Sequence, residues 1–263
     1  SVTYAYGNSK WKDMLTAHGG VAVTHDGIGN PLSDGTWSFV WQHGRDLKRM
    51  YRSGQNVQFA YNEDGIRVQK TSTTTGTTEY TVHGNRIVHL KNAGNDLHFF
   101  DDADARPAAV RFGGSDYRYV YDLQGNVVGL LAADNTWVVK YRYDAWGCPI
   151  RIAGDSDSAP GISGSMRDTL GVLQPFRYRG YVYDQETGLY YVSSRYYDPN
   201  LCRFISPDDV SNLGAGGEIL SYNLFAYCGN DPVNRKDDEG EIFENIIIGA
   251  VAGVAVGALI SGG

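Results

Sequence analysis

Carboxylates are the side chains of this 263-residue chain best suited to chemistry, with acidic pairs at Asp208 and Asp209 in "SPDDV" and at Asp237 and Asp238 in "KDDEGE". Two close aspartates that share a proton can act as acid and base on one peptide bond. The bland reading is that such carboxylates only cap turns. Six histidines, His18, His25, His43, His83, His89 and His98, offer ligands or bases, but His25, His43 and His83 fall where an aromatic residue meets a turn. The run "DDADA" at 101–105 begins like a calcium loop yet lacks the glycine and distal glutamate that complete one, so it reads as a solvated turn. No Gly-x-Ser-x-Gly, His-Glu-x-x-His or P-loop pattern is present. Cys148, Cys202 and Cys228 are an odd count without CxxC spacing, and they read as ordinary half-buried thiols rather than a disulfide framework or zinc site. No metal and no cofactor is expected.

The bulk properties bound what must position these groups. The length allows one large or two ordinary domains with a sizeable core. A formal charge of −7, from 30 acidic against 23 basic residues with no basic run, argues against a nucleic-acid partner, which needs clustered Lys and Arg. The opening "SVTYAYGNSK" carries no initiator Met and no signal pattern, and the chain reads as a fragment of something longer.

An aromatic residue followed by a polar turn recurs along the chain. It is seen in "WQHGRDL" from Trp41, "YNEDGIRV" from Tyr61, "YTVHGNRIV" from Tyr80, "FDDADARPAAV" from Phe100, "YDLQGNVVGL" from Tyr121 and "YDAWGCPI" from Tyr143. The steps are 20, 19, 20, 21 and 22 residues. The aromatic suits a half-buried strand face, Asp or Asn binds backbone two residues on, and Gly supplies the positive φ of the turn. Each unit is thus one hairpin. A lone hairpin is marginal in water, so the units must stack into a long antiparallel sheet that closes or coils. Segments such as "YRYVYDLQGNVVGLL" alternate with period two, and no helical stripe precedes residue 240. The fold class is all-β: spiralling antiparallel hairpin repeats over 1–150, an inserted loop at 151–175 where one step is missing, and register resuming at Tyr183.

The ordered run "YRGYVYDQETGLYYVSSRYYDPNLCRFISPDD", followed by "SYNLFAYCGNDPVNR", resembles the RHS (YD-repeat) family and its RHS-repeat-associated core domain, here over 176–240. The resemblance extends from about residue 20 to about 240. It implies part of a hollow YD-shell, similar to teneurins and to the C component of insecticidal toxin complexes, that encapsulates and delivers a variable C-terminal toxin. The implied partners are that toxin and an immunity protein, and the implied setting is secreted or wall-associated. The abundant tyrosines would present rings to strand neighbours and hydroxyls to water.

Self-cleaving members of the family use aspartates in the core tail. The resemblance carries that role onto Asp208, on the family's Ser-Pro-Asp, and Asp237, in "PVNRKDDEGE", with the cut just beyond Gly240. Asp209 and Asp238 stand where the family has proline, and Glu241 where an apolar residue is expected. Their added negative charge should disturb the pair, so an intact chain is expected. The last segment, 241–263, changes character. "IIIGAVAGVAVGALI" at 246–260 places Gly249, Gly253 and Gly257 on one face of a short apolar helix, too short to span a bilayer but able to meet lipid or another helix from residue 242 onward. Three function classes stand open: a toxin-encapsulating shell, an adhesion or carbohydrate-binding surface, and an aspartyl autoprotease.

Overall fold

The computed structural model describes residues 2–155, 159–214, 219–237, 240 and 244–245. Fourteen strands from Thr24–His25 to Ile162–Ser163 form one antiparallel sheet in which every strand pairs with its sequence neighbour. The expected stack of hairpins is therefore the observed fold, and period-two alternation sets its faces. In Gln55–Tyr61, Val57 and Phe59 point to the core while Gln58 and Ala60 face out. In Asn95–Asp101, Leu97 and Phe99 do the same.

The sheet carries a bulge in each repeat. Val40 pairs Arg49 while Trp41 pairs Leu47, which leaves Lys48 extra. The same shift leaves Val68, Val88, Ala108 and Val128 extra in the following repeats. These five positions keep a constant step of twenty residues, more regular than the aromatics that first revealed the repeat. A bulge bends its strand and increases the local twist, so one bulge per hairpin coils the sheet progressively. Within the intervening turns, Asn62, Asp102, Asp122 and Asp144 each accept backbone N–H bonds from residues two and four positions on.

The tyrosine hydroxyls correct the expectation that they face water. Tyr61 donates to the Leu47 carbonyl at 2.9 Å, Tyr121 to Pro107 at 2.6 Å and Tyr143 to Val127 at 3.0 Å. Trp41 Nε1 donates likewise to Pro31. Every acceptor is the first residue of the preceding repeat's bulge. A bulge disrupts the ladder and frees a carbonyl, and a buried carbonyl needs a donor. Tyrosine fills a core position and supplies that donor at once.

Residues 176–204 lie against the inner face of the long sheet. Phe176, Val182, Leu189, Tyr191 and Tyr196 join Val57, Phe59, Leu90, Leu97, Val110 and Val139 in one core. These residues include parts of a second, four-stranded sheet, Val182–Asp184, Leu189–Val192, Arg195–Asp198 and Arg203–Phe204. A buried ion network ties the two sheets together. Arg67 grips Asp184 with two bonds of 2.5 and 3.2 Å, and Lys70 contacts Asp184 at 3.1 Å and Glu186 at 2.8 Å. The stretch expected to be an inserted loop supplies the sheet's last strand, Ile162–Ser163, and the helix Leu170–Leu173, with Ala159, Ile162 and Leu170 buried. That helix is the sole α-helix among the described residues.

Glu244–Asn245 pairs with Arg235–Lys236 as a short strand just ahead of the apolar run. The apolar run 246–260, with its expected helix and glycine face, lies outside the described residues. No helix among the described residues is long and apolar enough to cross a membrane.

Candidate functional site

Behind the four-stranded sheet, Tyr178, Tyr181, Tyr190, Tyr197, Phe204 and Tyr227 form a second aromatic core. Tyr178, Tyr197 and Tyr190 donate in turn to the carbonyls of Ala145, Trp146 and Gly147, at 2.9, 2.8 and 2.8 Å. One turn of the long sheet is thereby clamped to the sheet that carries Arg195, and Tyr181 donates to the Asp237 carbonyl at 2.5 Å. This packing fixes both ends of the candidate site.

Arg195, on the strand Arg195–Asp198, is the centre. Its guanidinium lies 3.6 Å from the Phe204 ring centroid, donates to the Leu224 carbonyl at 2.9 Å, and faces both candidate carboxylates. Nη2 is 3.1 Å from Asp208 Oδ2 and 3.7 Å from Asp237 Oδ2. Asp208 and Asp237, 29 residues apart, are thus brought to one buried cation. Asp208 Oδ1 also accepts from the Asp209 amide at 2.6 Å and from Asn212 Nδ2 at 2.9 Å. Asp237 Oδ1 accepts from the Gly240 amide at 2.7 Å.

The Gly240 carbonyl oxygen, on the bond named as the cut, accepts from Arg195 Nε and from Ser194 Oγ, the latter at 3.2 Å. Two donors aimed at one carbonyl oxygen polarise it and would hold the charge that builds there when a nucleophile adds. Gly240 itself is constrained: its φ is +75°, and a Cβ would come within 2.4 Å of the Val192 carbonyl. Beside these groups lies a cavity of about 380 Å³ lined by Arg45, Asp46, Asp64, Ser194, Arg195 and Asp208. It is polar and roomy enough for water. The arrangement contains a polarised carbonyl and two carboxylates on one arginine, with a cavity that reaches Ser194, Arg195 and Asp208 but is not lined by Gly240 or Asp237.

Of the remaining residues singled out by sequence, Asp209 caps the short 3₁₀ turn Val210–Asn212 through a bond from the Ser211 amide, which lowers its carboxyl below the ordinary range. Asp238 and Glu241 lie outside the described residues. His43 occupies a turn with φ of +47°, while His25 and His83 end strands that lead into turns. Asp102 and Asp104 belong to the turn cap described above. No group of three His, Cys, Asp or Glu side chains is gathered for a metal ion among the described residues. No disulfide joins the cysteines, and burial first, then nearby carboxylates, pushes the Cys148 thiol up to about 12 and Cys202 to about 11. Sequence reading missed Arg195 and Ser194. Both stand in "SSRYYDP", and nothing in that stretch marks them as partners of distant aspartates.

No family model matches the chain. It is 30% identical over 245 residues to the tRNA3(Ser)-specific nuclease WapA of Bacillus spizizenii, covering 87% of this chain and 9% of that protein. Over 79 residues it is 42% identical to the toxin protein Tse5 of Pseudomonas aeruginosa, covering 30% of this chain and 6% of that one. The chain therefore spans under a tenth of either relative's length. The Tc holotoxin pore of Photorhabdus luminescens, solved with an altered TccC3, superposes with a TM-score of 0.64 at 18% identity, over 82% of this chain and 10% of that one. The bulged hairpin repeats, the ordered core motif and these likenesses converge: the chain belongs to the RHS (YD-repeat) family.

Proposed function

We propose that this chain is the closing part of an RHS toxin shell, with residues 1–150 as wall and 176–240 as the core segment that seals it, encapsulating and delivering a C-terminal toxic domain. The observation that carries this reading is the attachment of the core segment to the inner face of the wall. Its anchor is the fully buried Arg67–Asp184 pair, extended by Lys70 and Glu186. Such an attachment suits a plug better than an adhesion surface, which would need its binding side chains outside. The natural partners are the toxin and its immunity protein, the setting is secreted or wall-associated, and residues 242–263 are the part suited to membrane contact. Electron microscopy of the parent protein tests the reading: a closed shell with density inside is expected, and an open sheet with an external C-terminal domain would reject it.

Self-cleavage is the second reading, favoured by the two donors on the Gly240 carbonyl beside Asp208 and Asp237. In it, one carboxylate takes a proton from the attacking water while the other, protonated, passes its proton to the leaving amide nitrogen. Arg195 and Ser194 hold the carbonyl oxygen. Denaturing electrophoresis of the parent with its native C-terminal region decides between this and the intact chain expected from the charge of Asp238 and Glu241. Two bands that merge into one in Asp237→Asn or Asp208→Asn support cleavage, and one band throughout rejects it.

A further inference from the structure

A second cavity, of about 270 Å³, lies where the start of the chain, the first strands of the long sheet and the core segment meet. Its apolar wall includes Trp37, Phe39, Met50 and Phe225. Its polar wall holds two opposite charges that do not neutralise each other. Asp198 and Arg203 are directly opposed on neighbouring antiparallel strands, a placement in which opposite charges ordinarily pair. Here each is engaged elsewhere. Asp198 Oδ1 accepts from the Asn200 and Leu201 amides and from Asn200 Nδ2, at 2.8, 3.3 and 3.3 Å. Arg203 donates to Tyr6 Oη at 3.3 Å and to the Asp13 carbonyl at 2.8 Å, with its guanidinium carbon 4.6 Å from the Phe225 ring centroid.

Neither residue forms an ion pair with a charged side chain among the described residues, although Arg203 is only 8% exposed. A buried guanidinium with only neutral acceptors is costly unless a counter-charge arrives. The other ionisable groups of the cavity do not supply one. Asp34 Oδ1 is taken by the Thr36 and Trp37 amides. His25 is held toward its neutral form by burial and by Arg203. Desolvation outweighs the opposing pull of Tyr6 and Asp13 and lowers Arg203, and it likewise raises Asp198 from its ordinary range.

We propose that this cavity binds a small zwitterion of the α-amino acid class, its carboxylate on Arg203, its ammonium on Asp198 and an aliphatic side chain among Trp37, Phe39 and Phe225. A lone anion would satisfy Arg203 but meet Asp198, and a lone cation the reverse. A zwitterion satisfies both. The volume, below that of drug-sized pockets, admits a molecule of leucine's size.

The test is thermal denaturation and calorimetry of the chain with L-leucine, with 4-methylpentanoate, which lacks the ammonium, and with 3-methylbutylamine, which lacks the carboxylate. Leucine at up to about 10 mM is expected to raise the melting temperature saturably while neither half-molecule does. Arg203→Gln and Asp198→Asn are each expected to weaken leucine binding by about tenfold or more. Asp198→Asn keeps the oxygen that caps the turn, so its fold is checked independently by circular dichroism. No shift with leucine, or an equal shift with either half-molecule, would overturn the proposal, and the second outcome reveals an ion site only. The wild-type comparison decides the matter even if the variants fail to fold.

Discussion

Asp184→Asn is the perturbation that most directly probes how the core segment is held. The side chains of Arg67, Asp184, Lys70 and Glu186 are 1, 0, 9 and 4% exposed. The substitution keeps the shape and removes one charge. Lys70 retains Glu186 at 2.8 Å, whereas Arg67 keeps no acid, only the neutral Tyr196 hydroxyl at 3.3 Å and aromatic rings, with Tyr191 nearest at 4.5 Å. One buried guanidinium is left without an acid, which costs about 3–5 kcal/mol. For a chain of this size that is a fall in melting temperature of about 10 °C. Adding Arg67→Met removes the stranded charge and should restore the protein to within about 1–2 kcal/mol of wild type. Burial alone would raise the Asp184 carboxyl, but Arg67 and Lys70 more than reverse this and hold it below the ordinary carboxylate range. A depressed carboxyl contributes stability above its unfolded pKa and loses it as pH falls through the folded one, so the gap between wild type and Asp184→Asn should persist at pH 5 and close only below about pH 4. Urea unfolding followed by tryptophan fluorescence reads every step. A single-mutant cost under about 1 kcal/mol, or no recovery in the double mutant, would refute the reasoning.

Tyr61→Phe strands the Leu47 carbonyl freed by the bulge and breaks the 3.0 Å contact with Tyr196, so a loss of about 1–3 kcal/mol is expected in the same urea assay, and a neutral result would show that water replaces the hydroxyl. Gly240→Ala places a Cβ 2.4 Å from the Val192 carbonyl at a φ that disfavours side chains. It should dislodge Gly240 from Arg195, read as a change of the Arg195 Nε resonance by NMR. Asp198, whose carboxyl desolvation raises, opposes folding once ionised. Asp198→Asn should therefore melt higher than wild type at pH 7, with the advantage shrinking as pH falls and the native carboxyl protonates.

Repeat step, fold class and core motif were legible because local chemistry sets them. An aromatic, an Asx cap and a glycine suffice to mark a hairpin, and Asp122 and Asp144 do what the turn pattern required of them. The bulges were not legible, because the extra residue is Lys48 in one repeat, Ala108 in another and valine in three: its position in the register matters, not its type. For the same reason the tyrosine hydroxyls were misassigned to water, since their acceptors exist only once the bulges do. Asp208 and Asp237 were named as candidates through the resemblance, but Arg195 was overlooked because nothing in local sequence announces that aspartates 13 and 42 residues downstream converge on it. The Arg67–Asp184 pair, 117 residues apart, depends on the sheet coiling back over the core segment and could not be read from either neighbourhood.

Limited proteolysis of the full parent protein tests the central claim, that this chain closes a shell around the region that follows it. The C-terminal region should survive protease while the shell is intact, and be digested once Asp184→Asn loosens the core segment. Digestion of that region in the wild-type parent, at the rate of the isolated domain, would contradict it.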